Sequence, residues 1–148
     1  MTPVARDLAG FAPYMLNRIM ARYNAGVAEA LAAEGVSVPQ MRALAVLAQE
    51  GPRTVNELSV LTVIKQSTLS RTLDTMEAAG LVRREACATD SRVRRIHLTT
   101  DGAAVHARAW PAMRRAEARL FEGIPPDERA AFTLTLSRIL RTIRHHEY

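Results

Sequence analysis

The sequence of 148 residues has one cysteine and no long apolar run, and each shortage excludes a class of protein. Cys87 stands alone and cannot form an internal disulfide bond, and no cysteine–histidine cluster has zinc-finger spacing. No stretch approaches the roughly 18 consecutive apolar residues of a transmembrane helix. The first residues, Met1 to Gly10, lack the apolar segment of a secretory signal. We therefore expect a cytoplasmic protein that needs no cofactor and no membrane.

Sequence signatures of catalysis are also missing. There is no Gly-x-Ser-x-Gly elbow, no phosphate-binding glycine loop, no His-Glu-x-x-His and no dinucleotide-binding fingerprint. His145 and His146 are distant in sequence from His97 and His106, which argues against a metal site. The sequence therefore predicts a protein that is not an enzyme and binds no metal.

Positive charge is what the sequence does have. The net charge is +5, and of the 20 basic residues only Lys65 is a lysine. A basic domain favours an anionic partner such as nucleic acid, a membrane surface or an acidic protein. The alanine-rich background indicates a coding preference for arginine, so the positions of the arginines are more informative than their number.

Hydrophobic spacing predicts helices followed by a hairpin. Apolar residues recur four apart from Leu8 to Leu31, which predicts one long amphipathic helix. Ser37 and Thr54 each begin a capping box that opens a helix, and a fourth helix covers about 65–79. The period then changes to that of strands at 81–86 and 94–98. Thr99 and the Pro125–Pro126 pair open two further helices.

This order predicts a mainly α fold with a small β-hairpin wing, in a single domain spanning 1–148. Residues 37–98, which we call the reading head, have the order of a winged helix-turn-helix. The flanking helices, 8–34 and 99–146, carry apolar stripes that are long for so small a chain. We expect these stripes to pack against a second copy of the protein, with contacts that include Leu8, Phe11, Leu136, Ile139 and Ile143.

Short polar and basic side chains share one face of the fourth helix. A helix that reads the major groove of DNA presents such groups near its N-terminus. The alternative is a helix face that is only solvated. The residues are Lys65, Gln66, Ser67, Thr68, Ser70 and Arg71.

The hairpin carries Arg92, Arg94 and Arg95, with no acid between Asp90 and Asp101. An arginine at a loop tip can enter a narrow minor groove, where the potential is most negative. Asp90 could hold a guanidinium or brace the loop. The alternative is that these arginines only keep the hairpin soluble.

In order and spacing, the segment from about Ser37 to Gly102 resembles the MarR family of bacterial transcriptional regulators, and the flanking helices fit the dimerisation region of that family. The resemblance implies a homodimer, favours a repressor, and implies binding to a pseudo-palindromic operator in double-stranded DNA. The motifs that carry it are Lys65-Gln-Ser-Thr-Leu-Ser-Arg71, Gly80-Leu-Val-Arg83, Asp90-Ser-Arg92 and His97-Leu-Thr-Thr-Asp-Gly102.

Carried over by position, the resemblance implies that Ser67, Thr68 and Arg71 lie in the major groove, with Gln66 and Ser70 nearby. It implies that Arg92 enters the minor groove with Asp90 as its partner. The contact of Lys65, phosphate or base, stays open. Arg53, just before the third helix, is either a phosphate contact or an exposed loop arginine.

Regulators of this kind respond to a small molecule or an oxidant. The resemblance implies an effector pocket where the first and fifth helices meet the reading head, lined by Tyr14, Arg18, Met41 and Trp110. An arginine there suits an aromatic carboxylate or phenolate; the alternative is apolar core plus a surface arginine.

Two other interpretations of the chain remain open. Cys87 could sense oxidants if Arg83, Arg84 and Arg92 lower its pKa. The chain could also be a winged-helix module that contacts proteins without binding specific DNA.

Overall fold

The computed structural model describes residues 7–143, and it confirms the mainly α fold with a small antiparallel sheet. The helices are α1 (Ala12–Ala32), α2 (Val38–Glu50), α3 (Val55–Thr62), α4 (Gln66–Ala78), α5 (Thr100–Leu120) and α6 (Pro126–Ile143). The strands are β1 (Arg53–Thr54), β2 (Val82–Ala86) and β3 (Arg94–Leu98). No helix within residues 7–143 is both long enough and apolar enough to cross a membrane.

The first helix is shorter than the spacing predicted. Leu8–Gly10 forms a separate 3₁₀ turn, and Phe11 is extended with φ −93° and ψ 100° before α1 begins. Pro13 explains the break, because it has no N–H to donate and its ring would clash with the carbonyl group four residues earlier. The prediction of one continuous helix from Leu8 was wrong at this end.

Both predicted capping boxes are present and they fix the start of α2 and α3. The amide of Gln40 donates to Ser37 Oγ at 3.2 Å, and the amide of Ser37 donates to Gln40 Oε1 at 3.0 Å. Thr54 and Glu57 repeat the arrangement at 3.2 and 2.9 Å. Each box satisfies two amides at a helix start that have no partner inside the helix.

The sheet has a third strand that sequence spacing did not predict. β1 pairs antiparallel with β3, with Arg53 opposite Ile96 and Thr54 opposite Arg95, so the strand order is β1-β3-β2. Two residues are too few to show a period of two. This pairing attaches the hairpin to the start of α3, and an isolated hairpin would be marginal in water.

The core lies inside the reading head. α2, α3, α4 and the sheet all contribute side chains to it, and the C-terminal half of α1 and the middle of α5 close it. Its fully buried large side chains include Leu44, Leu58, Leu69, Leu73, Met76 and Ile96. By contrast, α6 buries none of its residues.

The start of α5 packs closely against the turn between α4 and β2, and we call this contact the α5 junction. Thr99 donates its hydroxyl to the carbonyl of Gly80 at 2.6 Å and its amide to the carbonyl of Leu81 at 3.1 Å. A Cβ at Gly102 would stand 2.0 Å from the carbonyl oxygen of Leu81, so only glycine fits there. The glycine that ends the Leu-Thr-Thr-Asp-Gly segment is therefore a packing requirement.

Candidate nucleic-acid interface

One side of α4 is buried and the opposite side is open. Leu69, Leu73 and Met76 point into the core. Ser67, Thr68 and Arg71 are exposed, and Ser70 is half-buried. Lys65 precedes the helix without a side-chain cap, so the first-turn amides keep their capacity to bind an anion. The predicted polar face is thus available to a partner.

Gln66 and the turn before α4 are more constrained than the sequence indicated. The side-chain amide of Gln66 donates to Asn56 Oδ1 on α3, so a contact between Gln66 and a base requires this hydrogen bond to be exchanged. In the turn, Val63 adopts a left-handed conformation with φ 57°, which is unfavourable for a β-branched residue. The hydroxyl of Ser59 stabilises the turn by donating to the carbonyl of Ile64 at 2.7 Å.

The loop between β2 and β3 is held by Asp90. Its Oδ1 accepts from the amide of Arg92 at 3.0 Å, and its carbonyl accepts from the amide of Val93 at 3.1 Å. The amide of Cys87 closes the loop onto the carbonyl of Val93 at 2.7 Å. Of the two roles considered for Asp90, the structure contains the one that braces the loop.

The three wing arginines are exposed on the braced hairpin. Within residues 7–143, none of Arg92, Arg94 and Arg95 forms an ion pair with an acid. The other arginines of the hairpin strands are paired: Arg83 with Glu85, and Arg84 with Asp74 and Glu77. The positive charge of the wing is therefore concentrated at and beside its loop.

Arg53 is neither free nor fully exposed. Its guanidinium lies 3.2 Å from Glu50 Oε2 and donates to the carbonyl of Pro52 at 2.9 Å. Its backbone belongs to β1. The interpretation of Arg53 as an exposed loop arginine is wrong, because strand pairing with β3 half-buries it.

A polar groove runs beside α4 and includes residues that the sequence analysis treated only as caps. Ser37 and Gln40, at the start of α2, form its far wall. Sequence spacing could not identify Ser37 and Gln40 as groove residues, because only folding brings the start of α2 next to α4. The groove has a volume of about 350 Å³ and is lined by Ser37, Gln40, Thr68, Arg71, Thr72 and Thr75.

Arg42 is another residue that the sequence analysis missed. It lies on α2 and is half-buried. One guanidinium nitrogen donates to Asn24 Oδ1 on α1 at 3.2 Å, and the other donates to the carbonyl of Thr62 at 3.4 Å, just before the turn to α4. The flanking helix α1 is thereby connected to the turn that positions α4.

Cys87 lies at the start of the wing loop, directly after β2, and has an acidic thiol. The pKa of Cys87 is lowered to about 7, chiefly by hydrogen bonds from Thr89 and then from Arg95. Its Sγ lies 3.2 Å from Thr89 Oγ1. Of the arginines considered for this effect, Arg83 and Arg84 are held by carboxylates. The arginine that lowers the pKa of Cys87 is Arg95 and not Arg83, Arg84 or Arg92.

The four predicted pocket residues do not meet. Tyr14 and Arg18 line an open apolar cavity of about 740 Å³ along the start of α1, and the Arg18 guanidinium lies 5.8 Å from the Tyr14 ring centre. Trp110 lines a neighbouring cavity of about 360 Å³ between α1 and α5. Met41 is fully buried in the core and reaches neither, because its face of α2 points inward. The prediction of a single pocket lined by all four residues was therefore wrong.

The predicted dimer contacts form exposed apolar surface. Leu8 begins the 3₁₀ turn and Phe11 follows it, and they are 53% and 56% exposed. Ile139 and Ile143 on α6 are 48% and 55% exposed. Leu136 is half-buried. His145 and His146 lie outside the described residues, and within residues 7–143 no three histidine, cysteine or acidic residues cluster as a metal site would require.

Comparison with known proteins agrees with this architecture. The sequence model of the MarR family matches residues 34–93. A MarR-family transcriptional regulator from Silicibacter pomeroyi is 48% identical, with 95% of each chain covered and a TM-score of 0.84. The HTH-type transcriptional repressor IacR of Pseudomonas putida is 27% identical over 133 residues, which cover 90% of this chain and 77% of IacR.

A more distant solved structure carries a ligand. A MarR-family protein of Mycobacterium tuberculosis, in complex with salicylic acid, is 27% identical, with 86% of this chain and 94% of that chain covered and a TM-score of 0.72. The 48% identity to the Silicibacter protein over nearly the whole of both chains settles the family. This chain belongs to the MarR family of transcriptional regulators.

Proposed function

We propose that this regulator is a homodimeric repressor that binds a pseudo-palindromic operator in double-stranded DNA. The observation that carries the proposal is the open polar face of α4 next to a hairpin whose arginines at and beside the loop have no acidic partner among residues 7–143. Membership of the MarR family supports the same conclusion. Within each subunit, α4 reads bases and the wing contacts the adjacent minor groove.

Each DNA-facing residue has a role that follows from its chemistry. Ser67, Thr68 and Arg71 contact base edges, because they are exposed on the first two turns of α4. Arg92, at the braced loop, enters the minor groove. The remaining residues position the protein on phosphates. They are Lys65, Gln66, Ser70, Arg94 and Arg95, together with Arg53 if it exchanges its bond to Glu50.

The exposed apolar residues of the 3₁₀ turn and α6 form the dimer contact. Exposed apolar residues on both elements favour an interaction site, and a regulator with a palindromic operator needs a two-fold axis. Two reading heads related by that axis bind half-sites about one helical turn, roughly 34 Å, apart.

The test begins with an operator selected from random DNA and measures affinity by fluorescence anisotropy at several salt concentrations. With about four phosphate contacts per subunit, the logarithm of the association constant should fall with a slope of about −7 against the logarithm of salt. Arg92→Ala should weaken binding by roughly 10- to 100-fold. The control is Arg115→Ala on α5, which should bind as wild type.

Two results would contradict this proposal. Equal affinities of the Arg92 and Arg115 variants would remove the wing contact. The absence of any selected sequence, with binding that barely depends on salt, would favour a winged-helix module that contacts proteins only.

The second part of the proposal is an effector of the aromatic carboxylate class. Arg18 and Arg22 line the larger cavity with Tyr14, which offers both cations and an aromatic face. The salicylic acid complex of the Mycobacterium tuberculosis relative supports this ligand class. An effector acts only if it prefers one arrangement of the two reading heads over another.

Trp110 is the only tryptophan, so its fluorescence reports on the smaller cavity directly. Salicylate should weaken operator binding in wild type, and Arg18→Ala should abolish this response if the larger cavity holds the ligand. If the smaller cavity holds the ligand, Arg114→Ala should abolish the response instead. Operator affinity that salicylate leaves unchanged would overturn the proposed ligand class.

A redox response through Cys87 is the other candidate for regulation, favoured by the lowered pKa and by the position of the thiol at the start of the wing loop. Oxidation of the thiolate by peroxide yields a sulfenic acid and releases the peroxide's second oxygen as water or hydroxide. Peroxide should then weaken operator binding by wild type and leave Cys87→Ser unaffected. An equal response of both proteins would exclude this candidate.

A further inference from the structure

We propose that Arg84 is a positioning residue that fixes the wing against α4 and thereby sets how much Arg92 contributes to DNA binding. The inference rests on the proposed function, because it concerns the geometry of the two DNA-reading elements. It starts from a cluster of hydrogen bonds between β2 and α4 whose residues are not among the predicted DNA contacts.

Arg84 is attached to α4 at three points. Its backbone amide donates to Glu77 Oε2 at 3.0 Å, and one guanidinium nitrogen donates to Glu77 Oε1 at 3.1 Å. The other guanidinium nitrogen donates to Asp74 Oδ1 at 2.8 Å. A single carboxylate therefore binds both the main chain and the side chain of one residue of β2.

The spacing of the two acids explains why the attachment is directional. Asp74 and Glu77 are three residues apart and so lie on one side of α4. A planar guanidinium with two nitrogens held by two carboxylates has one favoured orientation. The main-chain amide of Arg84 holds β2 beside α4 at one point, and the two guanidinium bonds fix the orientation of the strand, so loss of the side chain leaves a single bond about which the strand can turn.

The attachment lies between the two DNA-facing groups. Asp74 is one helical turn beyond Arg71. On the other side, Arg84 pairs with Ile96 of β3, and β2 and β3 lead into the loop that holds Arg92. The side chain of Arg84 is 21% exposed, whereas those of Asp74 and Glu77 are 66% and 42% exposed, so the attachment acts through the geometry of its three bonds more than through the strength of its ion pairs.

The same strand supplies a matched control. Arg83 is next in sequence, is 53% exposed on its side chain, and pairs with Glu85 within β2. It makes no ion pair with α4 among the described residues. Replacing Arg83 removes the same charge from the same strand and leaves the attachment to α4 intact.

The experiment is a double-mutant cycle on operator affinity, using the full chain. Arg92→Ala is measured in wild type, in Arg84→Gln and in Arg83→Gln. We expect Arg92→Ala to weaken binding by about tenfold or more in wild type and in Arg83→Gln. In Arg84→Gln the same change should cost less than about threefold, because the wing no longer holds its tip in the groove.

A second variant keeps the test decisive if Arg84→Gln does not fold. Asp74→Asn combined with Glu77→Gln removes the acceptor charges and keeps the Arg84 side chain. It should reduce the cost of Arg92→Ala in the same way, even if removing two acids from α4 strengthens DNA binding as a whole.

The outcomes separate the two proposals. If Arg92→Ala costs as much in Arg84→Gln and in the Asp74/Glu77 variant as in wild type, the positioning role of Arg84 is wrong and the proposed function stands. If Arg92→Ala has no effect in wild type, the wing contact itself is wrong. A purely structural role for Arg84 would lower stability and leave the cost of Arg92→Ala unchanged.

Discussion

The helices of the reading head and α6 have similar amphipathic sequences, but the former bury their apolar faces and α6 does not. α2, α3 and α4 each bury at least two residues in a shared core. α6 has an apolar stripe of comparable length, yet Ile139, Leu140 and Ile143 are 48% to 60% exposed. Amphipathic spacing therefore shows which face of a helix avoids water, but not whether the same chain or another copy covers it.

The largest contrast is expected in stability. Leu73→Ala in α4 should lower the free energy of unfolding by about 2–5 kcal/mol, because it leaves a cavity in the core. Leu140→Ala on α6 should change it by less than about 0.5 kcal/mol. Urea denaturation at a protein concentration low enough for monomers, as verified by sedimentation, measures both. A large loss in the Leu140 variant would show that α6 is covered within its own chain.

The second contrast concerns association. Ile139→Asp combined with Ile143→Asp places two charges on the exposed stripe and should shift the protein to monomers in sedimentation. Its affinity for a full palindrome should fall by about 100-fold, because the two half-sites no longer bind as one unit.

The control for this variant is Arg141→Asp. It changes the net charge by the same amount, and it lies about 200° around the helix from both isoleucines. It should remain dimeric with near-normal affinity. If both variants stay dimeric, the contact between copies lies elsewhere on the surface.

Two helical glycines allow a smaller contrast. Gly102→Ala should lower the free energy of unfolding by about 1–3 kcal/mol, because the new Cβ would collide with a backbone carbonyl. A Cβ at Gly26 in α1 would meet nothing within 4 Å outside its own helix backbone, so Gly26→Ala should raise stability by up to about 1 kcal/mol. Thermal unfolding of monomeric protein measures both changes in stability. Equal changes for the two variants would contradict the close packing at the α5 junction.

The smallest effect concerns the thiol of the reading head. The pKa of Cys87 is lowered to about 7 from 9.0, so the thiolate is the major form above about pH 7 in folded protein. The rate of alkylation by iodoacetamide should rise between about pH 6 and 8, with a midpoint near 7. In urea the midpoint should move towards 9.0, and in Thr89→Val it should lie between the two values. A native midpoint near 9.0 would contradict the role of Thr89.

Sequence patterns predicted the local features because local interactions determine them. The capping boxes at Ser37 and Thr54, the helix of about 65–79 and the hairpin strands all depend on residues within a few positions of one another. β1 was missed because two residues carry no period. The bonds of Arg84 to Asp74 and Glu77 join residues seven and ten positions apart, across a turn, and no spacing rule connects them. Met41 was misplaced because an apolar residue on a helix fits a core and a pocket equally well.

The junction at Gly102 gives the two ends of α5 different surroundings. The helix is anchored at one end on the turn between α4 and β2, and its 21 residues extend about 31 Å to the other end. A tilt of only about 5° at the anchored end moves the far end by about 3 Å at this length. Leu120, at that far end, borders both cavities. A molecule that enters either cavity would contact α5 at the end farthest from this junction.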